Sequence, residues 1–171
     1  YKADNKDLKQ YVPDPSDSGT IRTKDMLSIY EDRSNILWFA SLNGMHRWDR
    51  KTDKFRHYME GNIILSFYED ARSFLVGTRL GLYRYDKSSD TFSVFDSRDE
   101  LSIRIFGIVA DDENNLWIAA ETGIYKLNKD RTQLSRFGRD NGVDDADNFF
   151  QFGASFKREN GKIYFGKEYG Y

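Results

Sequence analysis

The sequence predicts an all-β chain built of β-propeller blades. Three observations carry this: an internal repeat of about forty residues, four short strand signals within each copy, and apolar side chains on both faces of those strands. The phrase Leu27-Ser28-Ile29-Tyr30-Glu31-Asp32 returns as Leu65-Ser66-Phe67-Tyr68-Glu69-Asp70, 38 positions on. Leu37-Trp38 is answered by Leu75-Val76, Leu116-Trp117 and Ile163-Tyr164, which places Val76 in the Trp column. Gly44, Gly81, Gly123 and Gly170 follow at a nearly constant distance, and the first three open a further run such as Met45-His46-Arg47-Trp48-Asp49. Phe55, Phe92 and Leu134 close the repeat, with Tyr58, Phe95 and Phe137 three residues later.

The second copy shows the strand signals most clearly: 64–68, 74–77, 82–85 and 91–95, with turn-forming residues at each break. No segment sustains an i, i+3, i+4, i+7 apolar pattern, so no helix is expected. At the ends, Tyr1 aligns with Trp48, Leu8 with Phe55 and Tyr11 with Tyr58, so the chain opens on the outermost strand of a preceding blade. It closes at Tyr171, on the Met45 column. The repeats fall at roughly 1–19 (partial), 20–59, 60–102, 103–143 and 144–171 (partial), all within one propeller domain over 1–171. Two architectures fit: an arc of a larger ring of about seven blades, or a ring of about four blades closed by the N-terminal strand. An open arc leaves strand edges free to pair, which makes a homodimer a further expectation.

Composition narrows the function classes. The chain has 171 residues, 26 Lys plus Arg against 28 Asp plus Glu, and a net charge of −2, so nothing draws it to nucleic acid or a membrane surface. It has no cysteine, which excludes thiolate chemistry, cysteine zinc sites and disulfides. An aromatic share of 16% supplies the core that the low mean hydropathy of −0.75 would otherwise deny. No apolar run is long enough to cross a membrane. The first residue is not Met, so the piece reads as cut from something longer.

The phrases Asp32-Arg33-Ser34-Asn35-Ile36-Leu37-Trp38-Phe39-Ala40 and Asp111-Asp112-Glu113-Asn114-Asn115-Leu116-Trp117-Ile118-Ala119 resemble the two-component regulator propeller repeat. The runs Gly44 to Asp49 and Gly81 to Asp86 add to the resemblance, as do the linker Tyr11 to Thr20 and the last unit Asn160 to Gly166. Ala40 and Ala119 stand where the family carries glycine, and Val76 where it carries Trp. The resemblance implies a periplasmic, ligand-sensing segment of a membrane-bound sensor histidine kinase, often a hybrid with receiver and DNA-binding parts. It also implies signalling by phosphorelay, and glycan-derived ligands for some members. The partners it implies are a small molecule, an oligosaccharide among the candidates, together with the other blades and a membrane-proximal domain of the parent chain.

Recurrent residues read first as blade structure. Trp38, Trp117 and Tyr164 are assigned to the core between blades, and Asp32, Asp70 and Asp111 to turn-fixing hydrogen bonds. Arg47, Arg84 and Lys126 recur as well and are expected to pair with a recurrent acid. Ligand contacts are expected where the repeat breaks, on the loops at one end of the blades. Those candidates are Arg79, Glu121 and Lys167 before the third strands, and Arg22, Asn62, Arg104 and Asn148 before the first. Charged groups beside exposed rings suit a sugar or a carboxylate-bearing ligand, and solvated loop tips are the alternative. Asp144-Asp145-Ala146-Asp147-Asn148 lacks the central Gly and terminal Glu of a calcium loop, and His46 and His57 read as isolated packing residues. No catalytic residue, metal or cofactor is expected. The competing classes are a stand-alone lectin-like or scaffold propeller, and a propeller enzyme such as a sialidase. The sialidase repeat sets its Asp and Trp columns differently, and no nucleophile set stands out here.

Overall fold

In the computed structural model, residues 9–143 and 150–167 are described. They form three four-stranded antiparallel sheets and one two-stranded sheet, each with its strands in sequence order. The first blade comprises β1 (Met26–Glu31), β2 (Leu37–Ser41), β3 (Gly44–Asp49) and β4 (Lys54–Tyr58). The second comprises β5 (Ile64–Glu69), β6 (Phe74–Thr78), β7 (Gly81–Asp86) and β8 (Thr91–Val94). The third comprises β9 (Ile105–Ala110), β10 (Leu116–Ala120), β11 (Gly123–Leu127) and β12 (Leu134–Phe137). β13 (Phe150–Lys157) and β14 (Ile163–Lys167) pair as the fourth sheet. The first strands neighbour one another in succession, β1 on β5, β5 on β9 and β9 on β13, so the sheets stack face to face as propeller blades do. Asn148, Gly170 and the run 144–148 lie outside the described residues.

Two-residue hairpins join the second and third strands, and the pairs Ser41↔Gly44, Thr78↔Gly81 and Ala120↔Gly123 close them. Gly44 is required there. Its φ is +92°, and a Cβ would sit 2.6 Å from the Tyr58 carbonyl oxygen. These hairpins fix the column alignment, and they correct one sequence assignment. Trp38 pairs with Arg47, Leu75 with Arg84 and Trp117 with Lys126, so Leu75, not Val76, holds the Trp position in the second blade. The cause lies in the preceding turn. The Asp32 N–H bonds the Ile36 carbonyl and the Asp111 N–H bonds the Asn115 carbonyl, whereas the Asp70 N–H bonds the nearer Ser73 carbonyl. Asn35 and Asn114, with φ of 59° and 65°, occupy left-handed positions that this shorter turn omits. A shift of one residue in a strand moves a side chain to the opposite face. Leu75 accordingly packs toward the third blade, while Val76 packs toward the first.

The core lies in the seams between sheets. Trp38, Met45 and Tyr58 of the first blade meet Ile64, Phe74, Val76 and Tyr85 of the second. The Trp38 ring is fully buried, with the Tyr85, Phe74, Tyr58 and Phe92 rings centred 5.1, 5.3, 5.4 and 5.9 Å away. In the next seam Leu75 and Leu82 pack with Ile105, Ile108, Leu116, Ile118, Tyr125 and Leu127, under Leu101 from the connecting loop. Gly77 permits this approach, because a Cβ there would fall 2.7 Å from the Ile105 carbonyl oxygen and 2.8 Å from the Ile105 Cγ2. Trp117 is only half-buried and Tyr164 is 42% exposed. The assignment of Tyr164 to the core therefore does not hold among the described residues, since its face of β14 has no sheet against it there.

Replacing Trp38 with Ala is expected to cost about 3–5 kcal/mol in urea unfolding, the usual range for a buried aromatic. The same change at half-covered Trp117 should cost distinctly less.

Candidate functional site

Antiparallel order gives each blade two unlike ends. The turns β1–β2 and β3–β4 lie at one end, and the hairpins β2–β3 and the links to the next blade lie at the other.

At the turn end, recurrent acids organise the backbone. Asp32 Oδ1 accepts from the Ser34 and Ile36 N–H groups at 2.8 and 3.0 Å, and its Oδ2 accepts from Trp38 Nε1 at 2.9 Å. Asp111 repeats the pattern with the Glu113 and Asn115 N–H groups and with Trp117 Nε1 at 2.9 Å. The acid thus fixes the turn and the ring together, a link the six-residue spacing carries. Asp70, with no Trp to serve, accepts instead from the Arg72 and Ser73 N–H groups, the Tyr68 hydroxyl and Arg131.

A second acid crosses the seam. Asp90, in the β7–β8 turn, accepts from the Tyr58 hydroxyl at 2.8 Å, from the Tyr85 hydroxyl and from Arg47 at 2.8 Å, and it pairs with Arg56. Burial opposes ionisation of Asp90, but the Tyr85 and Tyr58 hydrogen bonds and the Arg47 and Arg56 charges outweigh it and hold the carboxyl below its ordinary range. Burial and the Asp90 hydrogen bond push Tyr85 up to about 12. Arg47 also lies over the Trp38 and Tyr58 rings, with its guanidinium carbon 5.7 and 5.6 Å from their centroids. The other members of that basic column differ: Lys126 sits over Trp117 and 3.6 Å from Asp111, while Arg84 is exposed.

The same acid latch occurs one blade earlier. Tyr11 donates to Asp53 at 2.7 Å and Lys9 pairs with it, while Trp48 Nε1 donates at 3.1 Å. Lys9 and Tyr11 thus stand to Asp53 as Arg56 and Tyr58 stand to Asp90, and Tyr11 packs edge-on to Trp48 and Phe55. Sequence reasoning missed this device, although a signal existed. Asp53 and Asp90 stand two residues before Phe55 and Phe92 where the preceding closing residue is Tyr11 or Tyr58. Where that residue is Phe95, Thr132 stands before Leu134. Hydroxyl and carboxylate appear and disappear together.

At the loop end the structure brings several of the expected ligand residues into pairs. Arg104 lies 3.4 Å from Glu121, and the Glu121 N–H bonds the Arg104 carbonyl. Arg22 pairs with Glu60. Asn62 is buried, donates to Thr78 Oγ1 at 3.1 Å and leaves its Oδ1 without a partner. Arg79 is exposed, with its N–H on the Ile63 carbonyl. Lys167 is placed by its backbone pairing with Phe150. Exposed Leu42 and Leu80 tip the first two hairpins. His46 and His57 are not isolated, because their Nδ1 atoms lie 2.6 Å apart, while His46 is buried in the packing as expected. Among the described residues no group of three or more His, Asp or Glu side chains is arranged to hold a metal ion. No helix among them is long and apolar enough to cross a membrane.

No protein-family model matches the chain, and no curated protein matches it. Solved structures do. The extracellular domain of BT4673 from B. thetaiotaomicron, described as a putative one-component system, is similar at 19% identity with a TM-score of 0.67, over 85% of this chain and 20% of that one. A second structure, described as the extracellular domain of the putative hybrid two-component system BT4673, is similar at 22% identity with a TM-score of 0.66, over 83% of this chain and 22% of that one. Virginiamycin B lyase from Staphylococcus aureus is similar at 16% identity with a TM-score of 0.55, over 98% of this chain and 62% of that one. The chain therefore spans about a fifth of the BT4673 domain it matches, and the likenesses establish a propeller-like fold.

Asp90→Asn is expected to lower stability by about 1.5–3 kcal/mol through loss of charge-assisted hydrogen bonds. A carboxyl held below its unfolded value contributes stability that is full above about pH 4 and declines as pH falls through the depressed value. Urea midpoints followed between neutral and acid pH should therefore fall less steeply in Asp90→Asn than in the unaltered chain.

Proposed function

We propose that this chain is a ligand-sensing segment of the extracytoplasmic propeller of a membrane-bound two-component regulator, with the loop end of its blades as the ligand face. The observation that carries this reading is the likeness to the BT4673 extracellular domain, a domain of a regulatory system built from the same kind of blade. The repeat phrases around Trp38 and Trp117 resemble the regulator propeller repeat and point the same way. The parent is then a sensor histidine kinase, often a hybrid, signalling by phosphorelay, and this segment lies in the periplasm. Ligand binding shifts the population of two arrangements of propeller and membrane-proximal parts, which requires differential affinity for them.

Other blades of the parent chain are the nearest partners. The first blade turns a face outward with Trp48, Phe55, Tyr11 and Asp53, the counterparts of the Tyr85, Phe92, Tyr58 and Asp90 set that receives Trp38 and Arg47. A further blade of this type fits against that face, its Trp and Arg taking the places that Trp38 and Arg47 hold in the next seam. At the loop end, Arg79, Arg104, Glu121, Arg22 and Asn62 offer forked donors, a carboxylate and an amide, the groups that orient sugar hydroxyls and uronic carboxylates.

Arg79→Ala and Arg104→Ala should leave the thermal midpoint nearly unchanged and weaken binding of a uronic-acid oligosaccharide about tenfold or more, the cost of losing one charge-assisted contact. Calorimetric titration of the whole extracytoplasmic region with uronic and neutral oligosaccharides checks this. Unfolding of either variant would assign these arginines to the scaffold.

A further inference from the structure

We propose that His46 and His57 form a proton-operated latch that holds the linker entering the first blade, residues 16–22, and that acid releases this linker and carries Arg22 away from the loop end.

The two rings meet edge to face, with centroids 4.9 Å apart and Nδ1 atoms 2.6 Å apart. The other nitrogen of His57, Nε2, lies 3.0 Å from the Ser18 carbonyl oxygen. A carbonyl only accepts, so this Nε2 carries the hydrogen, and the neutral ring has a bare Nδ1. His46 must then donate from its own Nδ1, which leaves its Nε2 without hydrogen. That assignment agrees with the surroundings, because His46 is 1% exposed and its Nε2 has no partner. One hydrogen between two nitrogens makes the contact, and a second is costly wherever it goes. On the facing Nδ1 of His57 it would set two N–H groups against each other or drive the His46 hydrogen onto its buried, unpartnered Nε2, and added on Nε2 of His46 it would bury an unpaired charge.

The surroundings favour the neutral pair. Burial, with the His57 and Arg22 charges adding to it, pushes His46 down to about 4. Burial also lowers His57, with Arg22 contributing, against the Ser18 and Thr20 carbonyls. Arg22 is the cation felt by both rings and is paired with Glu60. The linker's own acids are committed elsewhere, Asp17 to Lys54 and the Gly19 N–H, and Asp14 to Ser16. Among the described residues no carboxylate is hydrogen-bonded to either ring. The unfolded chain therefore binds protons first, and the stability the pair contributes is full above about pH 6.5 and is lost as pH falls toward the His46 value.

What opens is local. The linker holds to the first blade by the His57–Ser18 contact, by the Phe55 N–H on the Gly19 carbonyl at 2.7 Å, by the Lys54–Asp17 pair and by buried Ile21. The seam with the second blade lies on the opposite face of the sheet, around Trp38. Segments with few apolar contacts open at lower cost than the core. Releasing this one bares the β4 edge and separates Arg22 from Glu60.

The test uses the full chain. Amide exchange, corrected for intrinsic rate, should show the Phe55 N–H losing protection by about tenfold or more between roughly pH 7.5 and roughly pH 5, while the Trp38 seam keeps its protection. In His57→Gln the loss should shrink, because only His46 is left to bind a proton on opening. Nitrogen-15 spectra near pH 7.5 should show His46 protonated at Nδ1 and His57 at Nε2. Protection that does not change with pH, an equal loss in His57→Gln, or both rings protonated at Nε2 would each overturn the latch.

Discussion

A sheet that is apolar on both faces cannot bury either face alone, and every other feature of this chain answers that constraint. β6, Phe74–Thr78, is buried at all five positions, with Phe74 and Val76 directed to the first blade and Leu75 to the third. The blades are therefore stabilised by their seams, and each seam depends on the side chains of both neighbours. Where the seam is complete Trp38 is fully buried; at β13–β14 Trp117 stays half-buried. Stability in such an array is a sum over neighbouring interfaces, so a blade at the end of the array is the weakest.

Packing alone would tolerate sliding between sheets. The carboxylates Asp53 and Asp90 resist it, because each gathers a tyrosine from the preceding closing segment and an aromatic donor from its own blade. These contacts lie on the seam rim, where water still screens them in part, so they add specificity of register to an energy that comes mainly from the rings. Arg47, lying over both the Trp38 and Tyr58 rings and bonded to Asp90, joins the two kinds of interaction in one side chain.

The repeat, the four-strand pattern and the aromatic seams were legible in the sequence because they recur, and recurrence needs no partner to be seen. The misassigned Val76 shows the limit of that signal. Two apolar neighbours, Leu75 and Val76, look alike in an alignment, and only the backbone bonds of the shortened Asp70 turn decide which one enters which seam. The Asp90 cluster was hidden for another reason, since its members come from four places in the chain and none is diagnostic alone. His46 and His57 failed on the same ground. They are 11 residues apart on adjacent strands, and only the pairing of β3 with β4 puts them side by side.

In the proposed reading the two ends of the blades divide the work. At the turn end, most of the recurrent charges are engaged across or within blades, so change there is costly to the fold. At the loop end the residues differ from blade to blade, and two of the three arginines are held by acids of their own: Arg104 by Glu121, Arg22 by Glu60. An acidic ligand meeting those two does not find bare cations. It must exchange with carboxylates already in place, so its net gain is the difference between two similar interactions, modest for one contact and sensitive to salt. Selectivity on such a face arises from engaging several loops at once, which ties ligand affinity to the relative placement of the blades. A ligand that gains only by bridging blades is one that senses their arrangement, and that dependence is what lets binding bias a larger assembly.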